Sequence, residues 1–131
     1  MIKIKKVIVI GGGPSGMMAA INASDNFDVL LIEKNEKLGK KLSITGKGRC
    51  NITSSKDISE FFDYIPTNHD FLYSALYSFT NTDTIKFFEK LGVPLKSERG
   101  DRVFPKSDNA HDIIDAFYKE LKRKNVKIKY N

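Results

Sequence analysis

Four apolar β-formers, Val7-Ile8-Val9-Ile10, run straight into Gly11-Gly12-Gly13. An unbroken apolar run of this kind predicts a short strand, over about residues 2–10, buried on both faces. Met17-Met18-Ala19-Ala20-Ile21 follows the glycines and predicts a helix over about 14–25. A second apolar run, Asp28-Val29-Leu30-Leu31-Ile32, ends in Glu33 and predicts a strand over 28–33. The next clear alternation is Val126-Lys127-Ile128-Lys129-Tyr130. It reads as a third parallel strand beside the second, over 126–130. The fold class is therefore α/β: a Rossmann-like parallel sheet with a long helical insertion between strands 2 and 3.

Within the insertion, Phe71, Leu72, Ala75, Leu76 and Phe79 recur at helical spacing. Their aromatic rings are expected in the core. A second helix is expected from Asn81 or Thr82, either a natural N-cap, to Leu91, with Gly92 and Pro94 beyond. It should bury Ile85, Phe88 and Leu91. Val93 to Pro105 reads as a hairpin that turns at Arg99-Gly100-Asp101. The last helix is expected to start near Ser107 to Asn109 and to bury Ile113, Ile114, Phe117 and Leu121. Lys122, Arg123 and Lys124 gather at its C-terminal end, where they complement the helix dipole.

Candidate chemistry begins at Gly11-x-Gly13-x-x-Gly16, the dinucleotide-binding fingerprint between a strand and a helix. Gly11 permits the tight turn, Gly13 leaves room for a pyrophosphate, and Gly16 lets helix and strand pack closely. Pro14 suits the first helical position, where its missing N–H costs nothing. The helix N-terminus then faces the diphosphate. Glu33, at the end of the second strand, is placed to accept hydrogen bonds from a ribose. Its charge repels a 2′-phosphate, which disfavours NADP.

Past Glu33 the chain turns basic. Lys34, Lys37, Lys40, Lys41, Lys47 and Arg49 face only Glu36 before Asn51. Thr45-Gly46-Lys47-Gly48-Arg49-Cys50-Asn51 combines flexible turns with fixed cations, which suits an anion or a flavin edge. It is not a P-loop, because the upstream glycine is absent and Gly48 replaces the required Ser/Thr. His69 and His111 stand far apart with no second ligand set at useful spacing, so no metal is expected.

The chain has 131 residues, the usual size for one domain, with one cysteine. Cys50 has no thiol partner, so no internal disulfide or redox pair is expected. The single cysteine fits a reducing cytoplasm. Met1 leads almost directly into the first strand, so neither a secretory signal nor a transit peptide is expected. No apolar run is long enough to span a membrane. The net charge of +6 could attract phosphates or nucleic acid. Solvated lysines account for most of it, and no nucleic-acid-reading pattern is present.

The strings IGGGPSGMMAAI, LLIEKNEKLGKKLSITGKGRCNIT and DRVFPKSDNAHDIIDA together resemble the BaiN-like, or aminoacetone-oxidase-like, FAD-binding flavoproteins. These belong to the two-dinucleotide-binding-domain superfamily. The resemblance covers nearly the whole chain, and its second string is the most specific. It implies that residues 1–131 are the N-terminal part of a longer FAD-dependent oxidoreductase that lacks the substrate domain and the C-terminal return segment. It implies FAD as cofactor, with Gly11, Gly13, Pro14, Ser15 and Gly16 at the pyrophosphate and Glu33 at the adenosine ribose. Lys34, Lys41, Gly46, Arg49, Cys50 and Asn51 would line the cofactor further along. Catalytic residues are not assigned, and NAD(P)H is the candidate electron donor of the intact protein. No nucleic acid or membrane partner is expected. The isolated chain should bind FAD weakly or not at all. Two alternatives stand beside this reading: an NAD-binding dehydrogenase domain, and a non-catalytic basic binding module.

Overall fold

The computed structural model describes residues 5–131. In chain order the elements are β1 (Lys6–Ile10), α1 (Pro14–Ala23), β2 (Asp28–Glu33), β3 (Thr53–Ser54), α2 (Tyr73–Ser78), α3 (Asn81–Lys90), β4 (Leu95–Glu98), β5 (Arg102–Pro105), α4 (Ala110–Arg123) and β6 (Lys127–Tyr130). Short 3₁₀ turns occupy Leu42–Gly48, Ile58–Tyr64 and His69–Leu72. Residues 2–4, expected in the first strand, lie outside the described residues.

The main sheet has the order β1-β2-β6 and is parallel throughout. Val7 lies opposite Val29, and Leu31 opposite Ile128. The terminal strand thus takes the place expected for it beside β2. Right-handed crossovers that proceed in one direction along a sheet put their helices on the same face. Met17, Ala20 and Ile21 of α1 and Ile113, Phe117 and Leu121 of α4 accordingly share one core with Val29 and Leu31.

The opposite face is open, which corrects the expectation for the first strand. Val7 and Val9 pack on the core, whereas Ile8 is 61% and Ile10 84% exposed. The apolar run is real, but among the described residues helices cover only one side of it.

The insertion folds around a small antiparallel sheet of order β3-β5-β4. The hairpin turns at residues 99–101 as expected, with Glu98 opposite Arg102. The cap of α3 is Thr80, neither Asn81 nor Thr82. Thr80 N–H donates to Asp83 Oδ2 at 2.8 Å, and Asp83 N–H donates to Thr80 Oγ1 at 3.2 Å, a reciprocal capping box. Asn81 is buried instead, and its amide donates to the carbonyls of Ser54 and Lys56, both at 2.7 Å. It ties α3 to the end of β3. Phe88 is buried, with Ile85 and Leu91 partly so.

A second correction concerns residues 71–79. A 3₁₀ turn and the six-residue α2 replace one continuous helix, and α2 buries none of its residues. Phe71, Tyr73, Tyr77 and Phe79 are exposed. Phe62 and Tyr77 stack on one another at 5.9 Å, so the rings pack among themselves and not into the core. At α4 the Asn109 side chain accepts the His111 N–H at 2.9 Å, within the expected start. Ile114, expected in the core, is only half-buried.

Candidate functional site

The glycine turn joins β1 to α1 at the carboxyl edge of the parallel sheet. Gly11 takes φ +108°, which its missing side chain permits, and its N–H donates to Ile32 O at 2.8 Å. The turn is thereby tied to the end of β2. A Cβ on Gly16 would lie 1.7 Å from Gly11 O, so the helix can leave the turn this closely only with glycine there.

Gly13 differs. It is the N-cap of α1 in an extended conformation, and a Cβ there would meet nothing within 4 Å. Among the described residues no side chain caps this helix, so none of them competes for its first N–H groups. Pro14 sits at the first helical position and Ser15 is exposed beside it. Bare backbone, unserved donors and the positive end of a helix dipole thus meet at one open surface, which fits a diphosphate.

Glu33 lies beneath the turn, 8% exposed. Its Oε1 accepts the Gly12 N–H at 3.4 Å, and its Oε2 accepts the Asn35 backbone N–H at 3.3 Å. These contacts fix the carboxylate and leave lone pairs for a hydroxyl. Lys34 and Lys41 are exposed. A cavity of about 660 Å³ opens beside them, lined in part by Lys34, Lys37, Lys40, Tyr118 and Tyr130. Burial pushes the Tyr130 phenol above its ordinary value, and the charges of Tyr118 and Glu33 act in the same direction.

The remaining residues singled out from the sequence face elsewhere. A Cβ on Gly46 would crowd Asn51 N at 2.9 Å and the Phe104 ring at 3.3 Å. The guanidinium of Arg49 pairs with the carboxylates of Glu98 and Asp108. Cys50 is buried, and burial raises its thiol above the ordinary value against a smaller opposing hydrogen bond with Thr45. Asn51 donates its amide to Thr53 O at 3.0 Å and Val103 O at 3.1 Å. The structure therefore brings Gly11 to Gly16 and Glu33 together. It commits the side chains of Arg49 and Asn51 to the hairpin and its flank.

His69 pairs with Asp70, while His111 lies in the first turn of α4. No group of three His, Cys, Asp or Glu side chains is placed to hold a metal among the described residues. Within the same limits, no helix is long and apolar enough to cross a membrane.

Sequence reasoning missed Gly12, Asn35, Leu38 and Gly39. A Cβ on Gly12 would lie 2.5 Å from Leu38 Cδ2, and Gly39 N–H donates to Gly12 O at 2.9 Å. The hydrophobic Leu38 alone among charged residues was the available signal.

A parallel sheet, a glycine turn opening a helix and an acid at the end of the next strand define a Rossmann-like dinucleotide-binding domain. More particularly, the chain belongs to the HI0933-like protein Rossmann domain family, whose sequence profile matches residues 5–131. The resemblance to flavoproteins noted from the three strings is consistent with that membership. A 3-dehydro-bile acid delta(4,6)-reductase of Clostridium scindens is 37% identical over 129 residues, which are 95% of this chain and 31% of the relative. A ribosomal RNA dihydrouridine synthase of Escherichia coli is 34% identical over 120 residues, 91% of this chain and 29% of the relative. The chain thus spans under a third of the length of these two relatives. Among solved structures, Thermovibrio ammonificans THI4 superposes with a TM-score of 0.57 at 13% identity, over 97% of this chain and 38% of that one. That likeness bears on the fold alone.

Proposed function

We propose that this chain is the N-terminal, FAD-binding portion of a flavin-dependent oxidoreductase. The observation that carries the reading is the open surface over Gly13, at an uncapped helix N-terminus, with the Glu33 carboxylate fixed beneath it. Gly13, Ser15 and Gly16 would hold the diphosphate through their backbone, with Gly11 setting the turn and Pro14 presetting the helix. Glu33 would accept from the adenosine ribose. The adenosine end would lie toward Lys34 and the neighbouring cavity, with Lys41 beyond. The Gly46–Asn51 loop would meet the cofactor through its backbone, since Arg49, Cys50 and Asn51 point their side chains elsewhere. When bound, the flavin supplies the hydride or electron transfer, and the protein binds and orients it.

The two relatives are named for different substrates, a bile acid and ribosomal RNA, so they support a redox class and no single substrate. The first is named as a reductase and the second for making dihydrouridine, a reduced base. We therefore read the intact protein as accepting hydride from a donor such as NAD(P)H.

The test is an NMR titration of the isotope-labelled chain with FAD, ADP and NADP. FAD and ADP should perturb the amides of residues 11–13, 15–16 and 33–35. Binding should be weak in this piece alone, and NADP weaker still because Glu33 opposes the 2′-phosphate. Perturbation confined to the lysine-rich surface, equal for all three and abolished by salt, would favour the basic binding module instead.

A further inference from the structure

We infer that Leu38, Gly39 and Ile114 form a latch that aims the Gly13 N–H outward from the glycine turn. The latch rests on the diphosphate reading and adds positioning residues to it, two from the basic loop and one from α4.

Three layers stack at this point. The uppermost is the Gly12–Gly13 peptide. Beneath it lie Leu38, 5% exposed, and the backbone of Gly39. Beneath Gly39 lies Ile114, whose Cγ1 would be 2.9 Å from a Cβ at position 39. Each layer leaves no room for more. A side chain at position 12 would strike Leu38, and Glu33 Cβ would stand 3.2 Å away on its other flank. Gly39 also has φ +68°, a conformation that side chains disfavour.

The hydrogen bond across the layers has a directional consequence. Gly39 N–H donates to Gly12 O at 2.9 Å. In a trans peptide the carbonyl and the following N–H point in opposite directions. Holding Gly12 O down onto Gly39 therefore turns the Gly13 N–H up, away from the latch. No protein group accepts that N–H among the described residues. Gly12 N–H is itself held by Glu33. The peptide groups on both sides of Gly12 are thus fixed, one by the ribose acid and one by the latch. This links the far end of the insertion, on α4, to the first turn of the chain.

The positions named do not touch the diphosphate, so they act by positioning. The test compares Leu38→Ala with the conservative Leu38→Met and with a core control, Val126→Ala. ADP is the probe, read by NMR titration, with the Gly13 amide shift and melting temperature recorded for each variant. Leu38→Ala should shift the Gly13 amide before ADP is added and weaken ADP by about tenfold, the lower end of what outer-shell partners contribute at metal sites. Leu38→Met should restore both. Val126→Ala should lower the melting temperature and leave both unchanged. If Leu38→Ala does not fold, Ile114→Val carries the same comparison. An unmoved Gly13 amide together with unchanged ADP affinity overturns the latch. A wild-type chain that ignores ADP even at millimolar concentration, where weak binding still registers, with a Gly13 amide that still moves in Leu38→Ala, overturns the diphosphate reading and leaves the latch standing.

Discussion

The guanidinium of Arg49 lies over the ring of Phe104, 4.0 Å from its centroid, while its edges bond the carboxylates of Glu98 and Asp108. Phe104 is buried in β5, so the cation covers the hairpin from outside. Lys96 joins the group by pairing with Asp108 at 2.8 Å. Arg49 thus pins the loop that follows β2 to the ribbon formed by β4 and β5.

That arrangement predicts an acid-sensitive hairpin. The hydrogen bond from Arg49 holds the Glu98 carboxyl below its ordinary range. Hydrogen bonds from Lys96 and then Arg49 do the same for Asp108. A carboxyl with a lowered pKa in the folded state favours folding above its unfolded value of about 4. That contribution fades as pH falls through the lower folded value. Amide protection in residues 95–104, measured against the intrinsic exchange rate at each pH, should therefore fall below about pH 4, ahead of the parallel sheet. The groups are half-buried to exposed and reach solvent, so the effect should be small and should shrink in 1 M salt. Arg49→Gln should reduce the difference between hairpin and sheet, leaving the share that Lys96 supplies at Asp108, and an unchanged difference would contradict the pinning role.

Cys50 offers a chemical check on the loop. The thiol is 1% exposed, and its pKa is raised by burial, so little thiolate forms near neutral pH. A disulfide reagent such as DTNB should react with the native chain far more slowly than with free cysteine, and completely once guanidinium unfolds it. Rapid stoichiometric reaction of the native chain would mean that the loop opens readily and that Cys50 is accessible.

Ile8 and Ile10 stand on the open face of the sheet, where they make no contribution to the core that α1 and α4 cover. Replacing both with Thr should change stability by no more than about 0.5 kcal/mol each, the usual range for surface positions. Threonine also keeps the β-branch that suits a strand. Light scattering should show less self-association in the double variant, because an open apolar face invites contact. By contrast, Leu31→Ala on the covered side should cost about 2–5 kcal/mol. Equal losses from the two faces would show that the open face is buried in solution.

The parallel sheet was legible because its signals are local. An apolar run, a glycine turn and a second apolar run each predict one element, and β6 declared itself by the alternation of Val126, Ile128 and Tyr130. The open face was not legible, since Ile8 and Ile10 look the same whether or not a helix covers them. The aromatics of residues 71–79 misled for a related reason: periodicity reports a helix face without saying what lies against it. At the site, Gly11, Gly13, Gly16 and Glu33 followed from spacing. Arg49 did not, because its partners Glu98 and Asp108 lie 49 and 59 residues away in the chain. Nothing in a short basic loop distinguishes a cation aimed at a ligand from one aimed at a hairpin.

The sharpest test of the glycine turn sets two alanine substitutions against each other. Gly13→Ala places its methyl in open space, on backbone at φ −79°, which any residue adopts. Its stability should stay within about 0.5 kcal/mol of wild type. If a diphosphate occupies that space, the same methyl meets the phosphate oxygens, and the ADP-induced shifts of residues 11–16 should disappear. Gly16→Ala has the opposite character. Its methyl would lie 1.7 Å from Gly11 O, so strand and helix must move apart. Such overpacking costs about 1–3 kcal/mol or more, read as a lower melting temperature with no ligand present. A stable Gly13→Ala that still binds ADP as wild type does would place the diphosphate elsewhere, even if Gly16→Ala behaves as expected. The pair thus separates a glycine kept for a ligand from a glycine kept for packing, three residues apart in one fingerprint.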